Sequence, residues 1–177
     1  VTLGVMVNAK DILAHAGGTK HAVAEMFQQC SHSRVDLVRI ALHFSEVEKG
    51  KDIAVALKDL GYMVSVNIMQ VGGRLTNEVS AITRKIASWG ATDILCFADS
   101  FGNMNADQVR ELVLAISKEW DQPIGWHSHD NMGRALENCF AALDAGATWL
   151  DSTVLGMGRG AGNVRTEYLL LDLAQRG

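Results

Sequence analysis

Pro123-Ile124-Gly125-Trp126-His127-Ser128-His129-Asp130-Asn131 is the stretch on which the reading of this chain turns. Side chains alternate across a strand with a period of two, so a strand entered after Pro123 sets the His127 and His129 imidazoles on one face of its sheet. That face can hold one metal ion. A His-x-His pair alone is a weak signal, because histidines on strands often do no more than pack, and its surroundings have to decide. The pair falls at the carboxyl end of its strand and a glycine-rich loop follows the next one. Ligands gather at such ends in parallel α/β folds.

Working outward, apolar runs lie at Thr2–Val7, Asp36–Leu42, Met63–Met69, Asp93–Ala98, Pro123–His127 and Thr148–Val154, each followed by a helical pattern. This is a strand–helix unit repeated six times. After the second run, Ser45 and Glu48 have capping-box spacing, and Ile53, Ala54, Leu57 and Leu60 form one apolar stripe. Asn105 is placed to cap a helix whose Val109, Leu112, Val113 and Ile116 share a face. Leu60-Gly61-Tyr62, Trp89-Gly90-Ala91-Thr92-Asp93 and Ala145-Gly146-Ala147-Thr148-Trp149 each read as a helix stopped by a left-handed glycine and turned directly into a strand.

Strands alternating with helices at this spacing imply a parallel sheet with right-handed crossovers. A doubly wound dinucleotide fold would carry Gly-x-Gly-x-x-Gly after an early strand. Here the glycine cluster, Gly156 to Gly162, follows the last one, which favours a (β/α)8 TIM barrel. Such a barrel usually takes about 200 residues or more. With 177 residues and six units, the chain reads as one partial barrel domain over residues 1–177.

A content of 48% apolar and 20% charged residues is that of a globular chain with one sizeable core. The net charge of −4 is spread along the sequence, which favours neither nucleic acid nor an anionic membrane as partner and leaves small molecules. Cys30, Cys96 and Cys139 are far apart and in apolar surroundings, so they read as buried free thiols. A reducing cytoplasm is the expected compartment, since neither a signal peptide nor a bilayer-spanning run is legible.

Gly125-x-His127-x-His129-Asp130-Asn131-x-Gly133, Ala135-Leu136-x-Asn138 and Gly156-Met157-Gly158-Arg159-Gly160-Ala161-Gly162-Asn163, with Ala98-Asp99-Ser100-x-Gly102, resemble the signature of the metal-dependent TIM-barrel lyases. That superfamily includes 3-hydroxy-3-methylglutaryl-CoA lyase, 4-hydroxy-2-oxovalerate aldolase, and the isopropylmalate and homocitrate synthases. The resemblance spans nearly the whole chain. It implies that His127 and His129 ligate a divalent metal, Mn²⁺ or Mg²⁺ with Zn²⁺ as an alternative, and that Asn163 adds a ligand or lies beside it. It further implies carbon–carbon bond cleavage, or its reverse, on a 2-oxo acid or 3-hydroxy-acyl substrate through a metal-stabilised enolate.

The family's first strand carries an Arg-Asp pair that completes the metal shell and faces the substrate, and this chain has none. Thr2–Val7 therefore corresponds best to the third barrel strand, with the first two units absent and the whole expected to be part of a longer protein. Its open edge should pair with another chain, in a homo-oligomer or with a partner domain. Arg39 and His43, four apart on the second run, share a face and are candidate catalytic residues, as is Asp99 near a strand end. Asn67 is placed similarly, and Asp99 could instead cap the following turn. Rival readings are a condensing synthase of the same superfamily, a non-catalytic barrel, and an amidohydrolase-type zinc hydrolase. The last also uses His-x-His but draws further histidines from later strands, and none follows His129 here.

Overall fold

Parallel strands buried on both faces are built from near-continuous apolar sequence, and the runs of this chain fold in that way. The computed structural model describes residues 1–176. Its six strands are β1 (Gly4–Asn8), β2 (Leu37–His43), β3 (Met63–Met69), β4 (Ile94–Asp99), β5 (Ile124–Ser128) and β6 (Trp149–Leu150). They form one sheet in chain order with every neighbouring pair parallel, as the alternation with helices predicts. The helices are α1 (Ala9–Leu13), α2 (Thr19–Met26), α3 (Lys51–Asp59), α4 (Thr76–Ala87), α5 (Ala106–Ser117), α6 (Ala135–Asp144) and α7 (Thr166–Arg176).

The two faces of the sheet do different work. Val38, Ile40, Leu42, Val64, Val66, Ile68, Leu95, Phe97 and Trp126 are buried in one cluster with Ile53 and Leu57 of α3, Val79 and Ile86 of α4, and the stripe of α5. Each such side chain contributes about 1.5–3 kcal/mol by leaving water. The opposite face keeps only a small apolar cluster of Leu37, Ile94 and Cys96. Further along the same strands, toward their carboxyl ends, it carries Arg39, His43, Asn67 and His127. The period of two thus segregates an apolar core from a polar row within single strands.

The sheet is open, with β1 and β6 as its edges. Val5 and Met6 on β1 are exposed, as is Trp149 on β6. Between these edges, a cavity of about 390 Å³ is lined by Thr2, Gly4, Val5, Met6, Leu37, Arg39 and Trp149. This is the architecture expected of six strand–helix units, and no helix among the described residues is long and apolar enough to cross a membrane.

Local signals held where a backbone requirement was involved. Gly61, Gly90 and Gly146, the three helix stops, all have positive φ. Asn105 caps α5: its Oδ1 accepts from the Gln108 amide at 2.9 Å, and the Gln108 side chain accepts from the Asn105 amide at 2.9 Å. Asn105→Ala should therefore lower stability by about 1 kcal/mol, read as a shifted urea midpoint at unchanged slope. An unmoved midpoint would show the cap to be energetically silent. Ser45 and Glu48, by contrast, form no capping box. They lie inside a 3₁₀ run, Phe44–Gly50, and α3 begins only at Lys51. The last strand is also shorter than the run Thr148–Val154, because Thr153 turns away to donate its amide to Val164 O at 2.9 Å.

Candidate active site

Parallel strands all end on the same side, so the residues that close β2 to β5 and those just after β6 converge there. They line a cavity of about 490 Å³ that includes His43 and Asn67 on one side and His127, His129, Asp151 and Arg159 on the other. His127 lies in β5 and His129 just beyond its end, and their ring centroids are 5.1 Å apart at an interplanar angle of 80°. The His129 amide donates to Asp99 O at 3.3 Å, which continues the sheet by one bond. Burial first, and then the neighbouring His127 and Arg159, push the His129 imidazole below its usual range and favour the neutral form, the form that can ligate.

Asn163 reaches this place through an isolated antiparallel bridge to His129. Residues paired in this way project side chains to one face about 5 Å apart. The Asn163 Nδ2 donates to Met157 O at 2.9 Å, while its Oδ1 is buried without a hydrogen-bond partner. Asn67 Oδ1 is likewise buried and unpartnered. Buried acceptors are normally satisfied, so two orphaned oxygens beside the histidines are the acceptors in want of a partner here, although solvent does not reach them. Among the described residues no three His, Cys, Asp or Glu side chains gather as a metal cluster. The donors this chain can offer are two imidazoles and an amide oxygen, a set suited to a borderline or hard divalent cation that retains open positions.

Behind His127 stands a charged chain. Its Nδ1 is 3.0 Å from Asp151 Oδ2, and Arg39 contacts both carboxylate oxygens, Nη1 to Oδ2 at 2.5 Å and Nη2 to Oδ1 at 3.0 Å. Burial alone would raise the Asp151 carboxyl, but the hydrogen bonds from His127 and Arg39 and their charges hold it below its ordinary value. Both partners thus favour the charged form of Asp151.

A family model described as HMGL-like matches residues 1–177. The chain belongs to the HMGL-like family. It is 35% identical over 150 residues to a 4-hydroxy-2-oxovalerate aldolase of Geobacillus genomosp. 3, covering 85% of this chain and 44% of that protein. It is 36% identical over 134 residues to one from Moorella thermoacetica, covering 76% and 39%. The chain thus spans less than half the length of these curated relatives. Among solved structures, the HMG-CoA lyase from Brucella melitensis superposes with a TM-score of 0.78 at 21% identity, over 100% of this chain and 67% of that one. The carboxyl transferase domain of Rhizobium etli pyruvate carboxylase superposes at 0.83 with 17% identity, over 98% and 31%. At these identities the likeness is one of fold.

Several signature residues of this HMGL-like chain hold the site together without facing it. Asp99 is fully buried, and its carboxylate accepts from the amides of Asn103 at 3.3 Å and Met104 at 3.0 Å. The structure places it as the last residue of β4, its side chain holding the turn that follows and not lining the cavity. Asp130 Oδ1 accepts from the Ala135 amide that opens α6, and the Asp130 amide donates to Gly162 O. Asn131 donates to Phe101 O at 2.7 Å and accepts from the Ala161 amide at 3.3 Å, tying the turn after β4 to the glycine loop. That loop needs its glycines. Gly162 has φ +92°, and a Cβ there would sit 2.1 Å from Gly156 O. At Gly102, φ is +59° and a Cβ would meet His129 O at 2.6 Å. Neither position can take a side chain without moving the backbone that carries His129 and Asn163.

The structure brings His43, Asn67, His127 and His129 to one cavity and sets Arg39 against Asp151 at its floor. Sequence reasoning passed over Asp151 and Gln70 and quoted Arg159 and Ser100 only within the signature, with no role; all four line the same space. Asp151 left one trace, an acid inside an otherwise apolar run. Gln70 holds φ +62° while its amide donates to Ser100 Oγ at 3.0 Å, a strained conformation that no residue type announces.

Proposed function

We propose that this chain carries the metal-binding side of a carbon–carbon lyase or aldolase acting on a 2-oxo acid or 3-hydroxy-acyl substrate. The observation that carries the reading is the placing of two imidazoles, His127 and His129, on the lining of one polar cavity, with Asn163 bridged to His129 behind them. Membership of the HMGL-like family and the named aldolase relatives support it. A divalent cation, Mn²⁺ or Mg²⁺, bound there would supply Lewis acidity that polarises a carbonyl and offsets the negative charge developing on it.

The protein's own groups supply the rest. Arg159 lines the cavity beside His129 and gives a carboxylate its counter-charge. Asn67, which lines the same cavity, offers its side-chain amide to a substrate oxygen and so helps fix which carbon faces the imidazoles. Cleavage of a 4-hydroxy-2-oxo acid requires a base for the hydroxyl proton as the carbon–carbon bond breaks. His43, half-buried at the end of β2 and lining the same cavity, is the group placed to take it.

The test uses the full-length protein with 4-hydroxy-2-oxovalerate as probe, measuring metal content and 2-oxo acid release before and after chelation. Release that falls on chelation and returns with Mn²⁺ is the expected result. Asn163→Ala should weaken metal affinity by about 10-fold and leave measurable turnover, since an amide is a weaker donor than an imidazole. Turnover indifferent to chelation would overturn the reading.

A further inference from the structure

We propose that Asp151, clamped by Arg39, is the positioning residue for His127: it accepts a hydrogen bond from Nδ1–H, fixes one tautomer, and leaves Nε2 as the atom that faces the cavity. The proposal rests on the reading of His127 as a metal ligand, but its geometry stands without the metal. A carboxylate that receives two guanidinium donors has only acceptors to offer, so at 3.0 Å the proton between Asp151 and His127 must sit on the imidazole Nδ1. A neutral imidazole with its proton there carries its lone pair on Nε2. The ring is also held in angle, because the fork of Arg39 fixes the plane of the carboxylate that His127 addresses.

Three strands supply the parts: Arg39 from β2, His127 from β5, and Asp151 immediately after β6. The clamp therefore spans the sheet across 112 residues of sequence and pulls the chain after β6 toward the middle of the polar face. All three side chains are partly shielded from solvent, with exposures of 17% for Arg39, 25% for Asp151 and 24% for His127. At that burial a carboxylate without its fork would be costly to keep charged. Arg39 consequently acts through Asp151. A guanidinium already spent on both oxygens of one carboxylate has little left with which to bind a substrate carboxylate.

Histidine-labelled, metal-free protein allows the tautomer of His127 to be read directly by long-range ¹H–¹⁵N correlation, assigned through His127→Gln. In the wild type the expected proton is on Nδ1. In Asp151→Asn, whose amide can either donate or accept, that preference should be lost, and Mn²⁺ affinity should fall about 10- to 100-fold, the range found for lost outer partners of metal-bound histidines. Arg39→Met should weaken Mn²⁺ binding in the same direction with no substrate present. A substrate-binding Arg39 would instead leave Mn²⁺ affinity alone and raise only KM. A wild-type His127 protonated on Nε2 would overturn the proposal even if neither Asp151→Asn nor Arg39→Met folds. Unchanged tautomer and affinity in a folded Asp151→Asn protein would do the same. If the tautomer behaves as expected but even the wild type takes up no Mn²⁺, the positioning stands and the metal reading fails.

Discussion

His127→Ala and His129→Ala are each expected to abolish stoichiometric Mn²⁺ uptake and to lower 2-oxo acid release by about three orders of magnitude. That loss corresponds to about 4 kcal/mol of transition-state stabilisation, within the several kcal/mol that Lewis-acid polarisation supplies. Either change leaves one imidazole, and among the described residues no group of three His, Cys, Asp or Glu side chains is placed to hold a metal ion in its stead. The fold should hardly notice, because both rings face a cavity and neither belongs to the apolar cluster between sheet and helices. Elemental analysis after dialysis, run beside circular dichroism, separates loss of metal from loss of structure. Full metal content and undiminished turnover in both folded variants would remove the centre from the proposed function.

Trp126→Ala should have the largest effect on stability, about 3–5 kcal/mol, from lost burial and the void left behind. Trp126 is 1% exposed on the helix-facing side of β5, and its indole N–H donates to Ser128 Oγ at 2.6 Å. Against a typical total of about 5–15 kcal/mol, that is about a fifth or more of what holds a domain of this size together. Because Trp126 precedes His127 in the same strand, the loss should also appear as weaker metal binding well before global unfolding. Urea denaturation at constant slope measures the first effect. A shift below about 1 kcal/mol would mean that the indole is not part of the core.

The architecture was legible because it depends on local chemistry. Apolar runs of strand length, amphipathic stripes after them, and glycines that alone accept positive φ at Gly61, Gly90 and Gly146 determine parallel strands in chain order. The pairing of His127 with His129 in one cavity was legible for the same reason, being a consequence of period two. Ser45 and Glu48 show the limit of such signals: their spacing is right, but both lie inside the 3₁₀ run Phe44–Gly50 and α3 begins only at Lys51, so neither stands at the first turn of an α-helix.

What only the tertiary structure decided is which partner each polar side chain keeps. Arg39 and Asp99 read alike in the sequence, as charged residues on strands near a site, yet Arg39 closes on Asp151 and Asp99 turns to two backbone amides. Asp151, 24 residues from His127 and 112 from Arg39, stood out only as an acid in its run, which names neither partner. The periodicity of a chain dictates the face on which a side chain stands, since that is a property of its own backbone. The neighbour it meets there depends on how the strands are laid side by side, and a buried charge takes the partner that the packing brings within about 3 Å.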